Sequence, residues 1–242
     1  MTIRLPGSAS PMHLYQNFVT AMVFINLLFV GIGMLTAWFF IKALKRPLLP
    51  LVILLLWTGI QSILAVNGFF RVTDGLPPRM ALVLMPVLAA VIFLLLHPSG
   101  KRFLQTLDLK WLTLLHTVRL PVEIGLYLLF REGLVPELMT FEGRNFDILA
   151  GISAPFIYYL VFIKKKASAR LLLIWNIVCL ALLMNILVNA VLSIPGPIQQ
   201  FAFEQPNIAV LDFPVSLLPA LIVPLVLLAH VAAISRKSPQ GR

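Results

Sequence analysis

Charge is scarce in these 242 residues. Asp, Glu, Lys and Arg together make up 12% of the chain, against 60% hydrophobic residues, and the mean hydropathy is +0.97. A soluble domain is about a quarter charged, so this chain has half the charge needed to cover a water-facing surface of its size. A soluble globule, a disordered chain and a secreted disulfide scaffold are excluded. Cysteine is almost absent. Cys179 alone, inside an apolar run, permits no intrachain disulfide and no zinc–thiolate site, and it reads as a small core residue. There is no nucleotide-binding loop, which argues against direct use of ATP. No HxxxH pair occurs and no two histidines stand at ligand spacing on one helix, so no metal site and no cofactor is expected.

What the chain has is long apolar runs. A helix needs roughly 20 apolar residues to cross a bilayer, and seven runs approach or exceed that length: 18–42, 48–70, 80–97, 111–130, 146–163, 170–193 and 213–234. The expectation is an all-α, polytopic helical membrane bundle forming one integral domain over 1–242. The first run is longer than the apolar core of a signal peptide, follows a mixed stretch holding Pro6 and Pro11, and ends in Lys42, Lys45 and Arg46. It is expected to stay in the mature protein as a span. The stretch 103–110 reads as a short amphipathic segment. Loop 131–145 reads as an interfacial segment or a cap on the bundle.

The formal charge of +10 suggests nucleic acid only until its distribution is considered. With seven spans, 13 of the 19 basic residues fall on one side and five on the other, Arg119 being inside a span. Basic loops stay cytoplasmic, which places the N-terminus outside and the C-terminus inside. The basic surplus is a topology signal, and nucleic acid is not an expected partner. The lipid bilayer is, and a homo-oligomer or a membrane-protein partner is compatible with such a chain.

The sequence also repeats itself weakly. Aligning 40–70 with 162–192 pairs Phe40-Ile41-Lys42 with Phe162-Ile163-Lys164 and Val66-Asn67 with Val188-Asn189, giving seven identities in 31 positions. Pro86 and His97 have the same spacing as Pro219 and His230, with three matching leucines between them. The pattern suggests parallel halves, 18–97 and 146–234, joined by a linker helix at 111–130. This 3+1+3 arrangement with an outward N-terminus resembles the SWEET and PQ-loop transporters. That group carries a proline, often Pro-Gln, in the first helix of each repeat. Pro155 fits in the fifth span, whereas 18–42 has no proline, and the Pro-Gln at 239–240 lies in the tail. The resemblance therefore implies an architecture and no substrate class. The segments EGRNFDILAGISAP and FPVSLLPALIVPLVLLAH resemble uncharacterised bacterial membrane proteins of this length, which implies a bacterial inner (plasma) membrane and no activity. Seven-span rhodopsins are excluded because 213–234 holds no lysine for a retinal Schiff base.

An ionisable residue at bilayer depth costs at least about 2.5–3.5 kcal/mol and marks a candidate site. His116, Arg119 and Glu123, three and four residues apart, fall on one helix face, and Tyr127 extends the stripe. Pro121 lacks the N–H that would bind the carbonyl of Thr117. Two readings stand side by side: a substrate or proton site, or an Arg119–Glu123 ion pair that locks the fourth span into the bundle. Gln61 and Asn185 lie at similar depth, where transporter sites commonly form, and singly such amides also serve as interhelical glue. His97, His116 and His230 read as helix-end or core histidines. Arg144, Asn145 and Asp147 suit an outer gate, or a cap in which Asn145 starts the fifth span. Pro214, Pro219 and Pro224 should loosen the last span. The function expected first is a small-molecule or ion permease with a polar mid-membrane site. The alternatives are a non-catalytic subunit or scaffold, and a membrane-embedded enzyme or redox protein using the histidines.

Overall fold

A computed structural model describes residues 11–236. Pro6, Arg4, Lys237, Arg242 and the Pro-Gln at 239–240 lie outside the described residues. Within them the chain is helix and turn, with no strand. α1 runs Pro11–Ala43, α2 Leu48–Val66, α3 Ala81–Leu96, α4 Pro98–Thr106, α5 Leu109–Leu115, α6 Arg119–Arg131, α7 Ile148–Tyr158, α8 Ala169–Val191 and α9 Val223–Ile234. Single π-helical turns continue α7 over Tyr159–Ile163 and precede α9 over Leu218–Ile222. Pro219 stands inside the second of these turns, where a missing N–H disturbs the regular ladder, and Pro155 lies within α7, four residues before the first.

Helices occupy every one of the seven apolar runs. Among the described residues four are long and apolar enough to cross a membrane: Tyr15–Ala43, Leu48–Val66, Leu109–Arg131 and Ala169–Val191. A fifth is added if α3 and α4 count as one bent span. The other apolar helices, Ile148–Ile163 and Leu218–Ile234, are shorter. The 16 residues of α3 rise about 24 Å at 1.5 Å per residue, less than a hydrocarbon core of about 30 Å. The break after α3 is set by Pro98. The residue before a proline is driven out of the helical region, and His97 is accordingly extended, at φ −77°, ψ 138°. The chain turns through 91° there. The amphipathic segment expected at 103–110 is divided: 103–106 end α4, which starts five residues earlier, and 109–110 open α5.

The centre of the bundle is α5, α6 and α9. α1 packs on α5 and α6, α7 on α5 and α6, and α8 on α9. From Leu225 to Ala232 every residue of α9 is buried. α2 is the opposite, with Leu55, Leu56, Ile60 and Ile63 all more than half exposed. A helix that is apolar all round and unburied suits a lipid surround rather than water.

One end of the bundle is closed by two interlocked loops. The N–H of Ala209 donates to the carbonyl of Leu134 at 3.1 Å. Gln205 Nε2 donates to the carbonyls of Phe130 and Val135 at 3.0 and 2.6 Å. Arg71 meets Asp212 at 2.6 Å. Loop 131–145 is therefore a cap. At the other end, the N–H of Asp108 donates to the carbonyl of Ala43 at 2.9 Å, and Arg236 donates to the carbonyls of Leu107 and Gln105. The residues paired by the internal alignment have different surroundings. His97 is exposed and accepts from the N–H of Ser99, whereas His230 is fully buried. Asn67 is exposed at the end of α2, and Asn189 is buried within α8.

Candidate functional site

The fourth apolar run is the most buried of the long helices, and its polar face points inward. His116 and Glu123 are 1% exposed and Arg119 is 2% exposed. The regular α-helix is interrupted just ahead of the proline. α5 ends at Leu115, a tighter 3₁₀ turn covers His116–Val118, and α6 resumes at Arg119, one turn around Pro121. α7 comes very close alongside. A Cβ on Gly151 would lie 2.6 Å from the backbone nitrogen of Leu120, a separation only a glycine allows. That approach brings the start of α7, with Asp147, against Arg119.

Arg119 Nε donates to Asp147 Oδ2 at 2.5 Å, and its Nη2 donates to Asp147 Oδ1, a two-point pair matching the planar fork of guanidinium to carboxylate. Nη2 also donates to the carbonyl of Cys179 at 3.1 Å. Nη1 lies 3.2 Å from His230 Nε2. A guanidinium only donates, so Nε2 accepts and the ring proton is on Nδ1, which faces Asn176 Oδ1 at 2.9 Å. Asn176 Nδ2 in turn donates to the carbonyl of Leu172. His116 stacks on His230 with ring centroids 4.1 Å apart and meets the edge of Trp175. Trp175 Nε1 donates to Ser153 Oγ at 2.9 Å. The buried cluster thus joins α6, α7, α8 and α9.

Glu123 is not the partner of Arg119. The ion pair expected within one helix is replaced by Arg119–Asp147, because the loop before α7 supplies a carboxylate in bidentate reach. Glu123 accepts from Asn145 Nδ2, which is 2.7 Å from both carboxylate oxygens and also donates to the carbonyl of Met139. Asn145 Oδ1 accepts from the N–H of Asp147 at 3.0 Å, so Asn145 does shape the start of α7, two residues ahead of its cap. Among the described residues no cation pairs with Glu123.

Glu123 and Asp147 line a cavity of about 70 Å³ between α3, α6, α8 and α9. Its other walls are apolar and include Leu84, Leu126, Leu187 and Val223. The remaining sequence candidates separate from this centre. Tyr127 is half-buried, stacks on Phe141 at 5.0 Å and accepts from Arg131, so it belongs to the capped end. Asn185 is exposed on α8 and donates to the carbonyl of Arg144, itself exposed. Gln61 is buried on α2, which packs on the 218–222 turn, and does not line the cavity. Asn145 and Asp147 move the other way, from the expected gate into the inner cluster. The roles of Trp175, Ser153 and the Cys179 carbonyl carried no signal in sequence spacing, because their partners lie on other helices.

Residues 76–236, well over half of the chain, match the family described as domain of unknown function (DUF8737). The chain belongs to that family. The matched region begins in the loop before α3 and takes in every residue of the Arg119–Asp147–Glu123 cluster, while α1 and α2 lie outside it. No curated protein and no solved structure matches the chain.

Proposed function

We propose that this DUF8737 protein is a multi-pass permease of the bacterial inner membrane, with seven spans, an outward N-terminus, a cytoplasmic C-terminus and a parallel 3+1+3 plan. The observation that carries the reading is Glu123: a carboxylate 1% exposed, held by an amide rather than a cation, on the wall of a cavity. Buried ionisable groups in membranes mark ion and substrate pathways. Asp147 is already matched by Arg119, so Glu123 is the carboxylate free to exchange a proton or meet a cationic group. The cavity is large enough for water, which needs about 10–15 Å³ of such space. The π-turn at 218–222 lies on the cavity through Leu218 and Pro219, and such turns are frequent at functional sites.

A second reading, a non-catalytic membrane subunit, is favoured by one observation. Arg119 directs its donors to Asp147, His230 and Cys179, as a structural latch would. The two readings differ in what Glu123 does. Purified protein in liposomes, under an imposed potential, is expected to take up protons, and Glu123→Gln to abolish uptake while leaving the melting temperature near wild type. Absence of uptake in a folded wild type would remove the permease reading and leave the subunit.

A further inference from the structure

The cavity that holds Glu123 has an unusual setting. Beyond its sequence neighbour α4, α3 packs on α9 and the 218–222 turn, and α8 packs chiefly on α9. The cavity fills the space left between α3 and α8, with Met80 and Leu84 on one side and Ile186, Leu187, Ala190 and Val191 on the other. Its rim residues Leu84, Leu187, Val191 and Val223 are only half-buried. Just outside the rim, Met85 is 62% exposed and Leu88 43% on α3, and Val188 is 54% exposed on α8. The cleft therefore opens sideways onto an apolar surface, where hydrocarbon would be. The loops around Met139, Ile194 and Val210 close its capped end.

The lining is as informative as the position. Apart from Glu123 and Asp147, all its residues are apolar. A sugar or another hydroxyl-rich solute needs many polar partners, and each one unmet is costly. An alkyl chain needs none. The deep end offers two carboxylates against one guanidinium, so it complements a single positive charge.

Resting on the permease reading, we propose that the ligand of this site is a cationic amphiphile, an alkylammonium that enters from the bilayer between α3 and α8 and places its head against Glu123. The chain lies along Leu84, Leu187 and Val191. The ammonium donates to the Glu123 oxygens, which have Asn145 as their one bonded partner.

The test uses the full chain in nanodiscs of zwitterionic lipid with radiolabelled decylamine as probe, measured above partition into empty discs. One saturable equivalent is expected, displaced by unlabelled decylamine and not by decanoate or glucose. Glu123→Gln, which removes the charge, and Leu187→Trp, which fills the cleft at its rim, should each weaken binding at least tenfold. Leu84→Trp provides a second plug from the α3 side should the first variant fold poorly by thermal melting. Uptake no greater than in empty discs overturns the proposal. So does saturable binding that survives both the charge and the plug variants, or that decanoate displaces equally. Proton uptake measured on the same preparation separates the two readings. Glu123-dependent uptake without decylamine binding removes this ligand class and leaves the permease standing. Decylamine binding without uptake leaves the site and removes the transport reading.

Discussion

Arg119 and Glu123 are four residues apart on one buried face, yet the structure gives them different dependents. Removing one member of a buried ion pair leaves the other uncompensated and costs roughly 3–5 kcal/mol. Arg119→Gln and Asp147→Asn are therefore each expected to lose stability of that order. Arg119→Lys should recover little, because an ammonium cannot reproduce a two-point pair and a bond to His230 together. Glu123→Gln keeps an oxygen for Asn145 and breaks no ion pair, so its cost should stay near 1 kcal/mol or below. Thermal unfolding in detergent ranks the four variants. If Glu123→Gln matched Asp147→Asn, the pairing described above would be wrong. The same residues show where sequence reading stops. Spacing on a helix identified His116, Arg119 and Glu123 as one inward face, because the 3.6-residue period is a local property. It could not identify the partner of Arg119, which lies 28 residues away and depends on Gly151 letting α7 approach Leu120. Asn145 and Asp147 were legible as polar residues at a helix start, and only tertiary packing turned that start inward.

Among the elements, α9 and the π-turn before it combine the heaviest burial with Pro219 and Pro224. Pro224 has no N–H to give the carbonyl of Ala220. Trp57 Nε1, on α2, donates to that carbonyl at 2.8 Å. An indole from the least buried of the long apolar helices thus answers a gap made by proline in the heavily buried α9. Trp57→Phe should cost about 1–3 kcal/mol by leaving a buried acceptor unmet, beyond any loss of packing. In a Pro224→Ala background residue 224 regains its N–H, and the same Trp57→Phe change should cost clearly less. A double-mutant cycle followed by thermal unfolding measures the difference. Strictly additive costs would show that the bond contributes nothing. The proline pattern was visible in the sequence as a sign of a loosened last helix. Its partner was not, since nothing local links a tryptophan at 57 to a proline at 224.

For the whole molecule, topology turns on which of the apolar helices are long enough to cross a membrane. Composition made the membrane class plain, because charge at 12% cannot clothe a soluble surface. It left the lengths open, since loosened ends and the bend at Pro98 shorten helices that hydropathy alone extends. α7 with its π-turn has 16 residues over Ile148–Ile163, just below the usual range of about 17–25 for a span. Its two flanks make different demands on any topology. Lys164, Lys165 and Lys166 follow it and are exposed, and Glu142 precedes it and is exposed. Three consecutive lysines strongly favour the cytoplasmic side. In a Cys179→Ser chain, single cysteines at Asp74, Gln105, Glu142, Lys165 and Phe203, all exposed positions, can be labelled with an impermeant maleimide in sealed vesicles. Seven spans require 105 and 165 to react from the cytoplasmic face and 74, 142 and 203 from the opposite face. If 142 and 165 react from one face, α7 does not cross. If 74 and 105 do, α3 turns back at Pro98 and α3–α4 is re-entrant. The second outcome would also leave the cleft between α3 and α8 less deeply set in hydrocarbon, so the topology bears directly on the route proposed for an amphiphile.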